Sequence, residues 1–304
     1  MDRLESQIYL RYQKLICDAI GLDLGPKSNQ INSHTPRIVT LSEIIDVYDA
    51  FCFDGYGTLY NCGQFVYSGA LEWFSALRKA GKELRLVTNA ASNLDAALAQ
   101  DAADRGFCFT AEETISSGSL LAATVADIRK RGEWNLDEVF YIGRETGKNV
   151  LGTCGIKAVE HPVEPVVAVS SSTATPEMFE HAVRILSQDR GLLLVLNPDA
   201  WAPNIDGTRS PVSGDLSERL RLLSGAKTLY FGKPFPAIWE RVRETLSPEA
   251  RVLMIGDTIG TDVFGAYVAG FDSALVVGRN VPEQDLESDE ALLQIRPNFY
   301  LVPG

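Results

Sequence analysis

Four short stretches carry residue types that, brought together, could handle a phosphate ester. They are Asp54 in FCFDGYGTLY, Thr88 and Asn89 in LRLVTN, Lys233 in YFGKPFP, and Asp257 with Asp262 in MIGDTIGTD. A phosphate monoester dianion repels a carboxylate nucleophile. Attack by Asp54 therefore needs a divalent cation, a lysine and oriented dipoles to screen the charge. Asp54 and Asp257 offer hard oxygen ligands to Mg²⁺. Asp262, five residues after Asp257, is placed either to hold the metal through water or to orient Lys233. Thr88 and Asn89 can donate hydrogen bonds to the transferring oxygens. Lys233 brings a point positive charge, its approach stiffened by Pro234 and Pro236. Gly55 and Gly57 let the loop backbone come close to a ligand.

These residues need strands to hold them, and the chain supplies strands. From residue 50 onward, short apolar runs alternate with helical patterns: AFCFD, LRLVTN, VFYIG, VVAVS, LLLVLN, TLYFG, RVLMIGD and SALVVG. Such runs separated by helices predict a parallel sheet covered on both faces, an α/β fold. Ligands of such sheets sit outside the carboxyl ends of the strands, where all four stretches lie. A single strand-end Asp is as often a turn or helix cap as a catalyst; four polar strand ends are not explained that way. Ahead of the sheet, Leu4, Ile8, Tyr12, Leu15, Ile16 and Ala19 recur at helical spacing. This helix is expected to dock on the body or on a second copy, followed by a linker at GLDLGPKSNQINSHTPR.

Composition narrows the classes. The 304 residues carry a net charge of −12, which argues against nucleic acid as a partner. No apolar run approaches the roughly 20 residues of a membrane span, and the charged N-terminus does not read as a secretory signal. Five cysteines without a CxxC pair fit a reduced, cytoplasmic setting. His34, His161 and His181 share no metal-binding spacing. Trp201 and the Arg144–Glu145 pair are weaker candidates for the wall of a substrate pocket.

The motifs DGYGTL, LVTNAAS, YFGKPFPAIWE and MIGDTIGTDVFGAYVAG together resemble the haloacid dehalogenase-like hydrolase superfamily. NPDAWAP ahead of GKPFP is similar to its class IIA branch of NagD-like and p-nitrophenylphosphatase-like proteins. The resemblance implies a Rossmann-like, doubly wound parallel sheet, an aspartyl-phosphate intermediate and Mg²⁺ dependence. Carried over, Asp54 is nucleophile and metal ligand, and Tyr56 offers its backbone carbonyl to the metal. Thr88 binds phosphate, Lys233 neutralises charge, and Asp257 and Asp262 hold or orient the metal. Between residues 54 and 88 there is room for one helix; between 89 and 233 there is room for an inserted α/β (C2-type) cap. The expected division is an N-terminal extension over 1–35, a core over 36–92 and 224–304, and a cap over 93–223. A small phosphorylated metabolite is the expected ligand; the oligomeric state stays open, with a homodimer through the cap or through the N-terminal helix among the options.

Tyr56 departs from that pattern, because phosphatases of the superfamily carry Asp there to protonate the leaving group and activate water. A phenol near pKa 10 is a poor base at neutral pH. Three readings stay open: a slow phosphatase whose water is activated by another group, a phosphate-ligand binding module without turnover, and a dehalogenase, whose loop does carry Tyr. Tyr56 itself is either a proton donor or a packing residue.

Overall fold

Unbroken apolar runs make the strands, because each is covered on both faces. Every residue of Ala50–Phe53 and of Val166–Val169 is buried. The computed structural model describes residues 3–22 and 35–303. Two parallel sheets result. In the larger, the order is β1 (Arg37–Val39), β14 (Phe299–Leu301), β13 (Asp272–Leu275), β12 (Val252–Gly256), β2 (Ala50–Phe53), β3 (Glu83–Thr88) and β4 (Thr114–Ser116). In the smaller it is β11 (Lys227–Tyr230), β8 (Leu192–Val195), β7 (Val166–Val169), β5 (Glu138–Ile142) and β6 (Lys157–Ala158). A two-stranded hairpin, β9 (Trp201–Pro203) and β10 (Arg209–Pro211), lies in sequence between β8 and β11 of the smaller sheet. The α/β expectation holds. Among the described residues no helix is long and apolar enough to cross a membrane.

Two details differ from the sequence reading. β4 pairs with β3 in the larger sheet, and β11 pairs with β8 in the smaller. Sheet membership therefore changes after residue 116 and after residue 230, not at 93 and 223. TLYFG was grouped with the strands carrying the site, yet it ends the smaller sheet; hydrophobic pattern alone does not reveal which sheet a strand joins. Most of the expected linker lies outside the described residues.

Helix α1 (Arg3–Ile20) lies across both sheets' territory. Ile8, Tyr9, Tyr12 and Ile16 are buried among Ala200, Ile259, Val263, Phe264 and Leu293. Leu15, expected inward, is 40% exposed, and Tyr9 takes the inward place. Tyr12 stands edge-on to Tyr230 and Phe235, Arg11 pairs with Glu218 at 2.8 Å, and Gln13 donates to the Leu293 carbonyl. A Cβ on Gly260 would stand 2.4 Å from the Tyr9 ring, so this glycine admits the tyrosine. Tyr9→Ala should cost about 3–5 kcal/mol of stability, read as a lower urea midpoint at unchanged slope. A loss below about 1 kcal/mol would mean that α1 is not docked in solution.

Candidate active site

The larger sheet delivers Asp54 one residue past β2, its N–H bonded to the Ile255 carbonyl at 2.9 Å. The chain then turns tightly, with the Gly55 carbonyl accepting from the amides of Leu59 and Tyr60. Gly57 has φ +99°, and a Cβ there would meet Asp257 Oδ2 at 1.9 Å. Glycine is thus required where the nucleophile loop passes the carboxylate that follows β12. Gly55 serves packing in the same way, since a Cβ on it would press on the Tyr60 hydroxyl at 2.7 Å.

Lys233 arrives on the chain leaving β11 and is buried. Its Nζ donates to Asp54 Oδ1 at 2.6 Å and to Asp262 Oδ1 at 2.7 Å. The other oxygen of Asp262 accepts from the amides of Asp257 and Thr258, each at 3.1 Å. Both oxygens of Asp262 are therefore engaged, one with Lys233 and the other with two backbone amides. Asp257 Oδ1 accepts from the Thr258 hydroxyl at 3.0 Å, while its Oδ2 is buried without a hydrogen bond.

Thr88 lines the cavity beside Asp54, its hydroxyl accepting from the Ala90 amide at 3.1 Å. Asn89 does not line it. Its Nδ2 donates to Asp199 Oδ1 at 2.8 Å and to the Lys233 carbonyl at 3.0 Å, and its Oδ1 accepts from the Lys233 amide. Both amide hydrogens are committed, so Asn89 braces Lys233 rather than meeting a ligand as expected. Gly55 is likewise absent from the lining. Cys62, Arg144 and Trp201 do line the cavity, and Glu145 turns to Lys148.

The electrostatics are lopsided. Asp54, Asp199, Asp257 and Asp262 border the cavity, and among the described residues its lining cations are Lys233 and Arg144. Burial pushes Asp54 up to about 7, against the pull of Lys233 and with the help of Asp262. Burial and the Asp54 charge hold Asp257 well above the carboxylate range. Burial opposes the charge on Lys233, but Asp262, Asp54 and Asp199 outweigh it and hold its pKa above the ordinary lysine value. Among the described residues no three His, Cys, Asp or Glu side chains form a ready metal cluster. The orphaned Asp257 oxygen, facing a glycine cradle within an acid-rich pocket, still fits a hard cation.

The phenol of Tyr56 is occupied elsewhere. Its hydroxyl donates to Asp101 Oδ2 at 2.9 Å, its ring stands edge-on to Tyr60, and Arg105 pairs with the same Asp101. Burial, and then Asp101, push it up to about 12. The phenol thus packs against Tyr60 with its hydrogen committed to Asp101.

Sequence reasoning missed Asp199. It stands within NPDAWAP, four residues past the end of β8, whereas Asp54 follows β2 directly, so the strand-end argument applied to the smaller sheet reaches its neighbourhood but not the residue. The cavity holds about 300 Å³, the lower end for small-molecule sites. The hairpin closes one side, with Asn61 Nδ2 donating to the Pro203 carbonyl at 2.8 Å. Ser92 and Ser170, one from each lobe, bond at 2.9 Å on another.

Known proteins resemble this chain in sequence and fold. Residues 51–157 match the family model described as haloacid dehalogenase-like hydrolase, and residues 230–302 match the HAD-hydrolase-like model. Chronophin from Mus musculus is 29% identical over 277 residues, covering 87% of this chain and 94% of its own. A possible sugar phosphatase of the HAD superfamily from Cytophaga hutchinsonii superposes with a TM-score of 0.75 at 24% identity, covering 88% of this chain and 98% of its own. The glycerol phosphate phosphatase of Mycobacterium tuberculosis, crystallised with magnesium, superposes with a TM-score of 0.65 at 25% identity, covering 85% and 76%.

Proposed function

Since the chain belongs to the haloacid dehalogenase-like hydrolases, in their NagD-like and p-nitrophenylphosphatase-like branch, we propose that it is a Mg²⁺-dependent phosphatase of a small phosphorylated metabolite. The observation that carries this reading is the clamp of Lys233 on Asp54 and Asp262 beside the unpaired Asp257 oxygen. Asp54 attacks phosphorus through a carboxylate oxygen. The bond from Asp54 to phosphorus forms as the ester P–O bond breaks, and water then displaces Asp54 to release orthophosphate. Lys233 and Thr88 hold the transferring oxygens, and Asp262 keeps Lys233 aimed. Asp54, Asp257 and the Tyr56 carbonyl would hold the cation, which supplies the charge that lets carboxylates and phosphate share one site. The smaller lobe serves as the cap, its loops and the hairpin excluding water and bulky polymers.

The test is a panel of p-nitrophenyl phosphate, small phosphate monoesters and 2-haloacids, each with Mg²⁺ and with EDTA. Phosphate release that needs the metal is expected. Metal-independent halide release would overturn the reading in favour of a dehalogenase, and ligand-induced thermal shifts without turnover in favour of a binding module.

A second measurement reads the charge imbalance. Asp54 at about 7 and Asp199 at about 6 in the folded protein stand against about 4 in an unfolded chain. Between roughly pH 4 and 7 the metal-free folded state therefore holds more protons than the unfolded one, and stability falls as pH rises through that window. In EDTA the Tm should drop from pH 5 to pH 8, and Mg²⁺ should raise it most at pH 8. A metal-free Tm that is flat or rising over the window would count against the buried acid cluster.

A further inference from the structure

We propose that Asp199 is the general acid and base of this site, taking the proton-transfer work that Tyr56 cannot do. The inference rests on the phosphatase reading and names a residue which that reading leaves idle. Four carboxylates border the cavity. Asp54 is the nucleophile, Asp257 the cation ligand, and Asp262 is spent on Lys233 and two backbone amides. Asp199 remains. Its Oδ1 accepts from Asn89 at 2.8 Å; among the described residues its second oxygen has no hydrogen-bond donor.

The turn carrying Asp199 is held on every side, as a reacting group requires. Its N–H donates to Asn197 Oδ1 at 2.9 Å, and its carbonyl accepts from the Gly214 amide at 2.7 Å. The neighbouring Pro198 carbonyl accepts from the Tyr12 hydroxyl at 3.1 Å, and the Ala200 amide donates to the Tyr9 hydroxyl at 3.4 Å. A Cβ on Gly214 would stand 2.5 Å from the Asp199 carbonyl oxygen, so glycine is needed for that approach. Helix α1 thus buttresses the turn from behind, and the side chain is left facing the cavity. Burial raises its carboxyl to about 6, against the pull of Lys233 and the Asn89 hydrogen bond and with a push from Asp262, Asp54 being a further charge that interacts with it; such a group is suited to giving and taking a proton near neutrality.

The chemistry balances. Asp199 starts protonated and gives its proton to the ester oxygen as the P–O bond breaks and Asp54 becomes phosphorylated. The resulting Asp199 carboxylate then takes a proton from water as the water oxygen bonds to phosphorus and the Asp54–phosphorus bond breaks. The enzyme returns to its starting state with orthophosphate released.

The test uses full-length Asp199→Asn with Mg²⁺, p-nitrophenyl phosphate and phenyl phosphate. Asn keeps an oxygen to accept from Asn89, so the brace on Lys233 survives while the proton function is lost. With phenyl phosphate, whose leaving group needs a proton, kcat should fall roughly 10²–10⁴-fold. With p-nitrophenyl phosphate, whose anion leaves unaided, a burst of about one product per enzyme should persist before a slow steady state. Acid quench should then trap phosphorylated Asp54. Adding Tyr56→Asp to Asp199→Asn should restore at least about tenfold of the lost rate. An equal loss of the first turnover for both esters, with no trapped phosphoenzyme, would make Asp199 a structural brace and overturn the proposal. So would an unchanged rate in the variant. A wild-type chain that releases phosphate from neither ester would remove the phosphatase reading itself, a failure that is distinguishable because it appears before any substitution.

Discussion

Replacing Asp54 by Asn is expected to lower turnover by roughly 10⁴-fold or more, the scale seen when a covalent nucleophile is removed, and to leave the metal-free protein more stable above pH 7. The first effect follows because Asp262, the other carboxylate that Lys233 meets, is also spent on two backbone amides. The 2.6 Å bond from Lys233 Nζ fixes one carboxylate oxygen, and the Thr58 hydroxyl, 3.5 Å from the other, holds it only weakly. The second follows from the burial that pushes Asp54 up to about 7. Near pH 8 the folded protein must keep Asp54 charged in a buried, acid-rich pocket, and an amide relieves that. Both are checked together, by phosphate release with Mg²⁺ and by thermal melts in EDTA at pH 8. Residual turnover within about tenfold of wild type would mean that water attacks the ester directly. A lower metal-free Tm would mean that Asp54 is held there by attraction outweighing its burial.

Much of this site was legible because its logic is local. Asp54 and Asp257 each close an apolar run and open a glycine-bearing loop, so strand-end reasoning found both. Lys233 was found for a partly wrong reason. Its strand belongs to the smaller sheet, and the lysine reaches the site because Asn89 binds its amide and its carbonyl. That two-residue exchange joins positions 144 apart in sequence and leaves no local trace. Asn89, read as a ligand contact, is spent on it. The direction of the Tyr56 side chain was equally hidden, since it depends on Asp101, 45 residues away on the helix Asp95–Ala103. Asp199 lies four residues past β8, beyond the reach of the strand-end rule, in a segment whose sequence reads as part of the cap.

Lys233→Met should both disable the site and destabilise the protein, and the second effect should depend on pH. Met keeps the length and the apolar stem but removes the charge on which Asp54 and Asp262 converge at 2.6 and 2.7 Å. Taking one partner from a buried ion cluster leaves the others uncompensated, at about 3–5 kcal/mol. Protonation softens that penalty: with Asp54 at about 7 and Asp199 at about 6 even while the lysine is present, the variant's acids will hold protons higher still. The destabilisation should therefore be largest near pH 8 and shrink toward pH 5, measured by urea unfolding at both pH values in EDTA. Turnover should fall at least about 10²–10³-fold, because the transferring oxygens lose their one buried cation on the protein side. A variant as stable as wild type at pH 8 would show that the lysine is not clamped between the two carboxylates in solution. The alignment of Asp54, on which attack depends, would then need another origin.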